Sequence, residues 1–402
     1  MRYLFTEQEL VIVTRKIIKI AQRLRDEFKI GAVQRDQNWQ FPHDEVKALR
    51  ASGLLGLMVP RKLGGLGGSF RDLMEVTMVL SEGDPNIGQM YQIHCGGIRL
   101  IQEIGESGIA AKLMRKAAKD GMFLSNAYSE IGTKTVLDYK TTAKRDRKGG
   151  WRINGTKYYC TGSLGGDYLF GPALLEGTPD QVYIFVAPAR ARGITIHDDW
   201  RAMGQRGTAS GTIEFKNVHL DDELCLDLTA NANPFSAVTL IYQAVHTGVF
   251  AGIARNAVDE AIEFVRSRAR VWYEAGVERA AQDPYVLLRV GEMKAALHAA
   301  EALAFRAADY CDAAVKKPST KTRGAASIAT GEARVVAADA AMKISELLFK
   351  VCGTSSISGK NGFDRHWRNA RALSLHNPLD YKLHHIGDFY VNGTLPPIDS
   401  YN

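Results

Sequence analysis

Apolar residues return at helical spacing at the start of the chain, where Leu10, Val13, Ile17, Ile20 and Leu24 form one stripe. Thr6 and Glu9 ahead of it make a capping-box pattern. A second helix is predicted from Pro42 to a C-cap at Gly53, with the polar stretch 34–42 read as a loop between the two. Glycines crowd the segment after Leu57 at Gly64, Gly65, Gly67 and Gly68; no strand adjoins them and no GK[ST] ending follows, so a tight irregular loop is expected rather than a phosphate cradle. Helical spacing resumes over Phe70–Leu80, Gly96–Ile109 and Ala110–Lys119. From Met122 the period falls to two: Tyr139, Thr141 and Ala143 alternate with Lys140, Thr142 and Lys144. Short strands are predicted at Trp151–Ile153, Gln181–Ala187, Gly193–His197 and Gly211–Phe215, with a hairpin turn at Asn154–Gly155. After Asn233 the chain turns helical again over 240–271, 284–313, 319–349 and 366–389, with alanine-rich faces that let helices approach closely. The pattern defines an α+β protein: an N-terminal helical domain (1–121), a middle antiparallel β domain (122–235) and a C-terminal helical bundle with its tail (236–402).

Composition narrows the class. A chain of 402 residues with 46% hydrophobic and 24% charged residues can bury a large core. No apolar run is long enough for a membrane span, and residues 1–30 do not read as a secretory signal. The net charge of +7 is spread along the chain, without a basic tail, which argues against a nucleic-acid partner. Five scattered cysteines form no CxxC, so no metal site and no disulfide framework are expected, and a reducing cytoplasm is the simplest setting.

Three regions are chemically dense. In Tyr91–Gly97, His94 stands beside two glycines at a predicted helix start. It reads either as a satisfied core histidine or as a proton donor facing a cavity. Ser125–Glu130 and Lys157–Ser163 bring small polar side chains to a domain junction, where they make ordinary turns or bond the edge of a flat aromatic cofactor. The third region runs from Arg365 to Pro378. Arg365, Arg368 and Arg371 share one helix face, which meets phosphate or acidic neighbours, and His376 stands just before the proline that ends or bends the helix.

These regions and four longer signatures resemble the acyl-CoA dehydrogenase superfamily, and within it the flavin-dependent monooxygenase branch that includes the dibenzothiophene monooxygenases. The signatures are LRASGLLGLMVPRKLGG, DDWRAMGQRGTASGTIEFKNVHL, the pair VRSRARVW and QDPYVL, and GFDRHWRNARALSLHNPLDYK. The resemblance implies a C-terminal four-helix bundle, a homotetramer, and a flavin between the β domain and the bundle. It puts His94 and His376 at the reacting end of the flavin, Asn126, Ser129 and Thr161 around the ring or the peroxide, and Trp200 against the ring. Arg266 and Arg270 would reach a phosphate across the subunit interface. The sequence departs from that branch at Leu373, where a histidine is usual, and at Ser355, where a phosphate-contacting arginine is usual; either Arg365 or Lys360 compensates, or the cofactor is held differently.

The function implied is that of a two-component monooxygenase. A separate NAD(P)H-flavin reductase would supply FMNH2, and O2 would give a C4a-hydroperoxyflavin that oxygenates a small hydrophobic organic substrate, an organosulfur compound such as a thiophene. FAD is the other cofactor considered. The rival is an FAD-dependent acyl-CoA dehydrogenase, but Asn377 stands where the carboxylate base is expected, and a carboxamide cannot remove a proton. A flavin-retaining protein without either activity is the third reading.

Overall fold

The computed structural model describes residues 7–105, 107–135 and 137–399. Thr6 of the expected capping box lies outside them. The N-terminal part holds α1 (Glu7–Lys29), α2 (Ala32–Gln37), α3 (His43–Ala51), α4 (Phe70–Gly83), α5 (Pro85–Ile104) and α6 (Ser107–Asp120). Ile17 and Leu24 of the first stripe are buried. The glycine-rich segment is irregular, with Gly64 and Gly67 at positive φ, and a Cβ on Gly65 would lie 2.2 Å from the Val59 carbonyl oxygen.

Two expectations are corrected here. The polar stretch 34–42 begins inside a helix, because Arg35 is buried against Asp84 and Asp36 is buried against Arg368; charged side chains that looked solvent-facing are ion-paired inside. The helix carrying His94 starts at Pro85, not near Gly96. Asp84 caps it by accepting the Asn86 amide at 3.0 Å and Pro85 supplies the first turn, so His94 is mid-helix. Gly96 and Gly97 allow close packing instead: added Cβ atoms would lie 2.1 Å from Tyr242 and 2.7 Å from Phe170.

The middle part contains β1 (Leu124–Asn126), β2 (Thr142–Arg145), β3 (Trp151–Lys157), β4 (Tyr168–Leu175), β5 (Thr178–Pro188), β6 (Ile194–Ile196), β7 (Ile213–Leu220) and β8 (Cys225–Asp227). They form one sheet in the order β6-β7-β3-β2-β4-β5-β8, with β1 also on β4. Pairing is largely antiparallel, but β4 runs parallel to both β1 and β2. The hairpin expected at Asn154–Gly155 is instead a register shift inside β3, and the β2–β3 turn is at Asp146–Gly150. Gly155, at φ 154°, is required because a Cβ there would meet Thr141 Oγ1 at 2.2 Å.

The C-terminal part is α7 (Val238–Ser267), α8 (Pro284–Lys316), α9 (Thr320–Cys352), α10 (Asp364–Ser374) and α11 (Leu379–Asn392). The last predicted helix is thus two helices, parted at 375–378, where Pro378 cannot continue α10. One apolar cluster runs through α4, α5, α7, α8 and α9, so the two helical parts share a core.

Glu260 on α7 ties α10 down by pairing with the Arg365 guanidinium and accepting a 2.8 Å hydrogen bond from His366 Nε2. Burial opposes ionisation of this carboxyl, but the Arg365 and His366 charges and their hydrogen bonds outweigh it and bring its pKa down to about 2. A depressed carboxylate stabilises the fold above its unfolded pKa, and that stability is lost as pH falls through the folded value. Glu260→Gln should therefore lose about 2–3 kcal/mol in urea unfolding at pH 7. The gap from the native chain should close between about pH 4.5 and pH 2; a gap independent of pH would show that the charge is not what holds α10.

Candidate active site

The chemically dense residues lie on α5, β1, the turn after β3 and the α10–α11 turn; β1 packs on α5, α5 on α7, and α7 on α10. Gly171 on β4 lets β1 lie flat against it: an added Cβ would fall 1.8 Å from the Ala127 carbonyl oxygen. Beyond β1, Ser129 pairs with Tyr158, so the two polar segments singled out in the sequence are neighbours. Tyr159 (φ 55°) and Gly162 (φ 79°) bend the chain after β3 and turn Thr161 inward. The Thr161 hydroxyl is 2.9 Å from that of Ser210, which is 2.7 Å from that of Thr208. Beneath this turn Lys157 and Glu130 form a buried 2.7 Å ion pair, and Glu130 also accepts the Lys140 and Thr141 amides, tying the 130–141 segment to the sheet.

Asn126 tests whether the residues here fit a flat cofactor. Its Oδ1 is buried and has no hydrogen-bond partner in the protein. A buried carbonyl left that way is costly, so a donor on a bound group is expected to satisfy it. Together with Ser129 and Thr161 it forms a polar edge suited to a flat heteroaromatic ring. Trp200 sits beside this edge, its indole N–H donating to the Gln205 carbonyl at 2.8 Å and its ring meeting Tyr159 edge-on at 6.0 Å.

The two histidines differ in surroundings. His94 is fully buried, stacked on Phe123 at 5.6 Å; its Nε2 lies 2.8 Å from the Leu55 carbonyl and its Nδ1 accepts the Leu124 amide at 3.2 Å. Those partners require the Nε2–H tautomer. Both ring nitrogens are then engaged by backbone, so His94 orients β1 at the residue preceding Ser125 and Asn126. His376 follows α10 and meets His246 of α7 edge-on at 4.6 Å. His376 keeps an open side, while the protein around it desolvates the imidazole and lowers its pKa to about 4. No contact joins His94 to His376; Tyr242 of α7, one helical turn before His246, packs against Gly96 of α5.

Arg266 and Arg270 are exposed at and just beyond the end of α7, with no ion pair or hydrogen bond from their side chains among the described residues. Arg268, not singled out in the sequence, bonds Asn361 at 3.4 Å and lines a surface cavity of about 340 Å³ with Lys360 and Arg365. Arg365 is occupied by Glu260, whereas Lys360 is exposed. The sequence reading also missed His246 and Arg334, since isolated polar residues inside long apolar helices carry no motif. Among the described residues no group of three or more His, Cys, Asp or Glu is placed to hold a metal ion, and no helix is long and apolar enough to cross a membrane.

This three-part fold matches the N-terminal, middle and C-terminal domains of acyl-CoA dehydrogenase over residues 18–138, 126–218 and 244–381. The chain belongs to the acyl-CoA dehydrogenase family. It is 34% identical to a dibenzothiophene monooxygenase of Rhodococcus qingshengii, over 94% of each chain. Among solved structures it is similar to FMN-bound TdsC from Paenibacillus sp. A11-2, with 30% identity, a TM-score of 0.90 and coverage of 96% and 100% of the two chains. It is also similar to the methanesulfinate monooxygenase MsuC from Pseudomonas fluorescens, with 34% identity, a TM-score of 0.89 and coverage of 96% and 99%. Within the family it stands with the FMNH2-dependent monooxygenases.

Burial lowers the pKa of both His94 and His376 to about 4. Both should be neutral from pH 8 down to pH 5 and protonate only as pH nears 4. Imidazole 15N shifts followed over that range should show His94 with its proton on Nε2; a His94 titration near pH 6.5 would contradict its burial.

Proposed function

We propose that this chain oxygenates a small organosulfur compound with FMNH2 and O2, the FMNH2 being supplied by a separate NAD(P)H-flavin reductase. The unpartnered Asn126 oxygen at a polar edge built by β1 and the end of β3 carries this reading, in a chain whose relatives include an FMN-bound structure and enzymes named for sulfur substrates. Reduced FMN, when bound, supplies the electrons and the centre at which oxygen is activated.

The remaining work falls to the chain's own side chains. Asn126 and Ser129 orient the ring edge. Thr161, its hydroxyl shared with Ser210, donates a hydrogen bond on the oxygen side. His94 acts as a positioning residue by fixing Leu124 and so the reach of Asn126. His376, neutral at working pH and open on one side, moves a proton on the substrate side. Trp200 covers the ring, and Arg266 and Arg270 hold the phosphate of a flavin in a neighbouring subunit of a homotetramer. Apolar walls from the shared helical core keep bulk water out. Asn377 at the family's usual base position weighs against acyl-CoA dehydrogenation.

A reductase-coupled assay with organosulfur candidates, reading product mass against peroxide released, tests this. An oxygenated product is expected. Reduced flavin converted wholly to peroxide with every candidate, or flavin bleached by an acyl-CoA without a reductase, would overturn it. Asn126→Leu should weaken FMN binding by about tenfold or more in a fluorescence titration, with the melting temperature of the flavin-free protein unchanged or raised. A large fall in that temperature would make Asn126 structural instead.

A further inference from the structure

Arg334 of α9 is fully buried, and only one of its guanidinium nitrogens, Nη1, has a protein partner, the Gln243 side chain. Its Nε and Nη2 are buried with none. One turn from Gln243 along α7, His246 is equally buried, with neither ring nitrogen bonded. The groups acting on His246 are all basic, namely Arg334, His376 and Lys382, and Arg334 also acts on His376 and Lys382. Among the described residues, the carboxylate acting on the cluster is Asp399, and it acts on Lys382. A buried guanidinium is normally paired, because stripping its hydration without a counterion costs several kcal/mol. Here, among the described residues, its one side-chain partner is the uncharged Gln243, while the neighbouring His376 is open on one side.

We infer that Arg334, His246 and His376 form the binding site for an anionic substrate head group, a small organic sulfinate, rather than for a neutral thiophene. This rests on the oxygenase reading above and names its substrate class. The Arg334 fork has two free donors suited to the two oxygens of a sulfinate, which leaves the sulfur lone pair facing the oxygen side. The balanced reaction is RSO2− + O2 + FMNH2 → RSO3− + FMN + H2O. One S–O bond forms as the O–O bond breaks; sulfur and reduced flavin each give up two electrons, and the second oxygen atom leaves as water with two protons. His246, neutral and without a partner, donates to a substrate oxygen and packs against His376.

Calorimetric titration of the flavin-free protein with sodium methanesulfinate, sodium acetate and dibenzothiophene tests the site without turnover. Native protein should bind methanesulfinate saturably and more tightly than acetate. Arg334→Met should lose about a hundredfold in that affinity, and Arg334→Lys should keep part of it. Without ligand, Arg334→Met should melt at the same or a higher temperature, because the uncompensated charge is gone. A lower melting temperature with unchanged sulfinate affinity, tighter binding of acetate, or binding of dibenzothiophene alone would each overturn the assignment. Sulfinate binding without product would sink the oxygenase reading and leave the anion site standing; product from dibenzothiophene without sulfinate binding would do the reverse.

Discussion

One buried carboxylate holds the three parts of this chain in register. Asp36, on a six-residue helix of the N-terminal part, receives both terminal nitrogens of Arg368 from α10, at 2.5 and 3.2 Å. Arg206 of the middle part reaches the same carboxylate at 3.6 Å and its backbone carbonyl at 3.3 Å. A bidentate pair of this kind fixes orientation as well as distance. From it the site geometry follows: next to Arg368, Asn369 accepts the Gln205 amide at 2.6 Å, and the Gln205 carbonyl in turn anchors Trp200. Four residues on from Arg206, Ser210 supports Thr161. A loose Asp36 would therefore be felt at the tryptophan, at the threonine and at the helix that ends before His376.

Much of this was legible in the sequence, for reasons that differ by element. The long helices announce themselves by period, and the family signatures lie where domains meet because those segments have to satisfy several neighbours at once. Asp84–Pro85 is a strong helix start that hydrophobic spacing alone passes over, so His94 was placed at a helix end instead of mid-helix. Asn154–Gly155 reads as a turn on local chemistry, yet the approach of Thr141 makes it a bulge. Polar residues 34–42 looked like a loop because their partners, Asp84 and Arg368, are distant in sequence. The same blindness hid Arg334 and His246. Their significance lies in what they fail to contact, and no spacing rule reports an unpaired group.

The site combines two kinds of unmet demand. At β1 a lone carbonyl, that of Asn126, waits for a donor; between α7 and α9 a guanidinium waits for an acceptor. Each such group costs free energy unless a partner relieves it. Their polarity is opposite, and this separates the roles: the β1 side accepts from a ring edge, whereas the helix side donates to oxygen atoms.

Protonation sharpens the distinction. Burial holds His246 and His376 neutral near pH 7, so neither can balance an anion by charge, and Arg334, whose pKa is brought down by burial to about 9, remains the lasting cation. Lys382 is brought by burial and by the Arg334 charge to about 7, where it is divided between its two forms. An anion seated on Arg334 would cancel part of the repulsion that holds Lys382 down and raise its pKa. By linkage, binding would then draw in a fraction of a proton. A neutral thiophene in the same place would do the opposite: it would displace water from cations it cannot pair and push Lys382 further toward its uncharged form. The direction of proton flow on binding is thus set by the charge of the ligand seated beside Arg334.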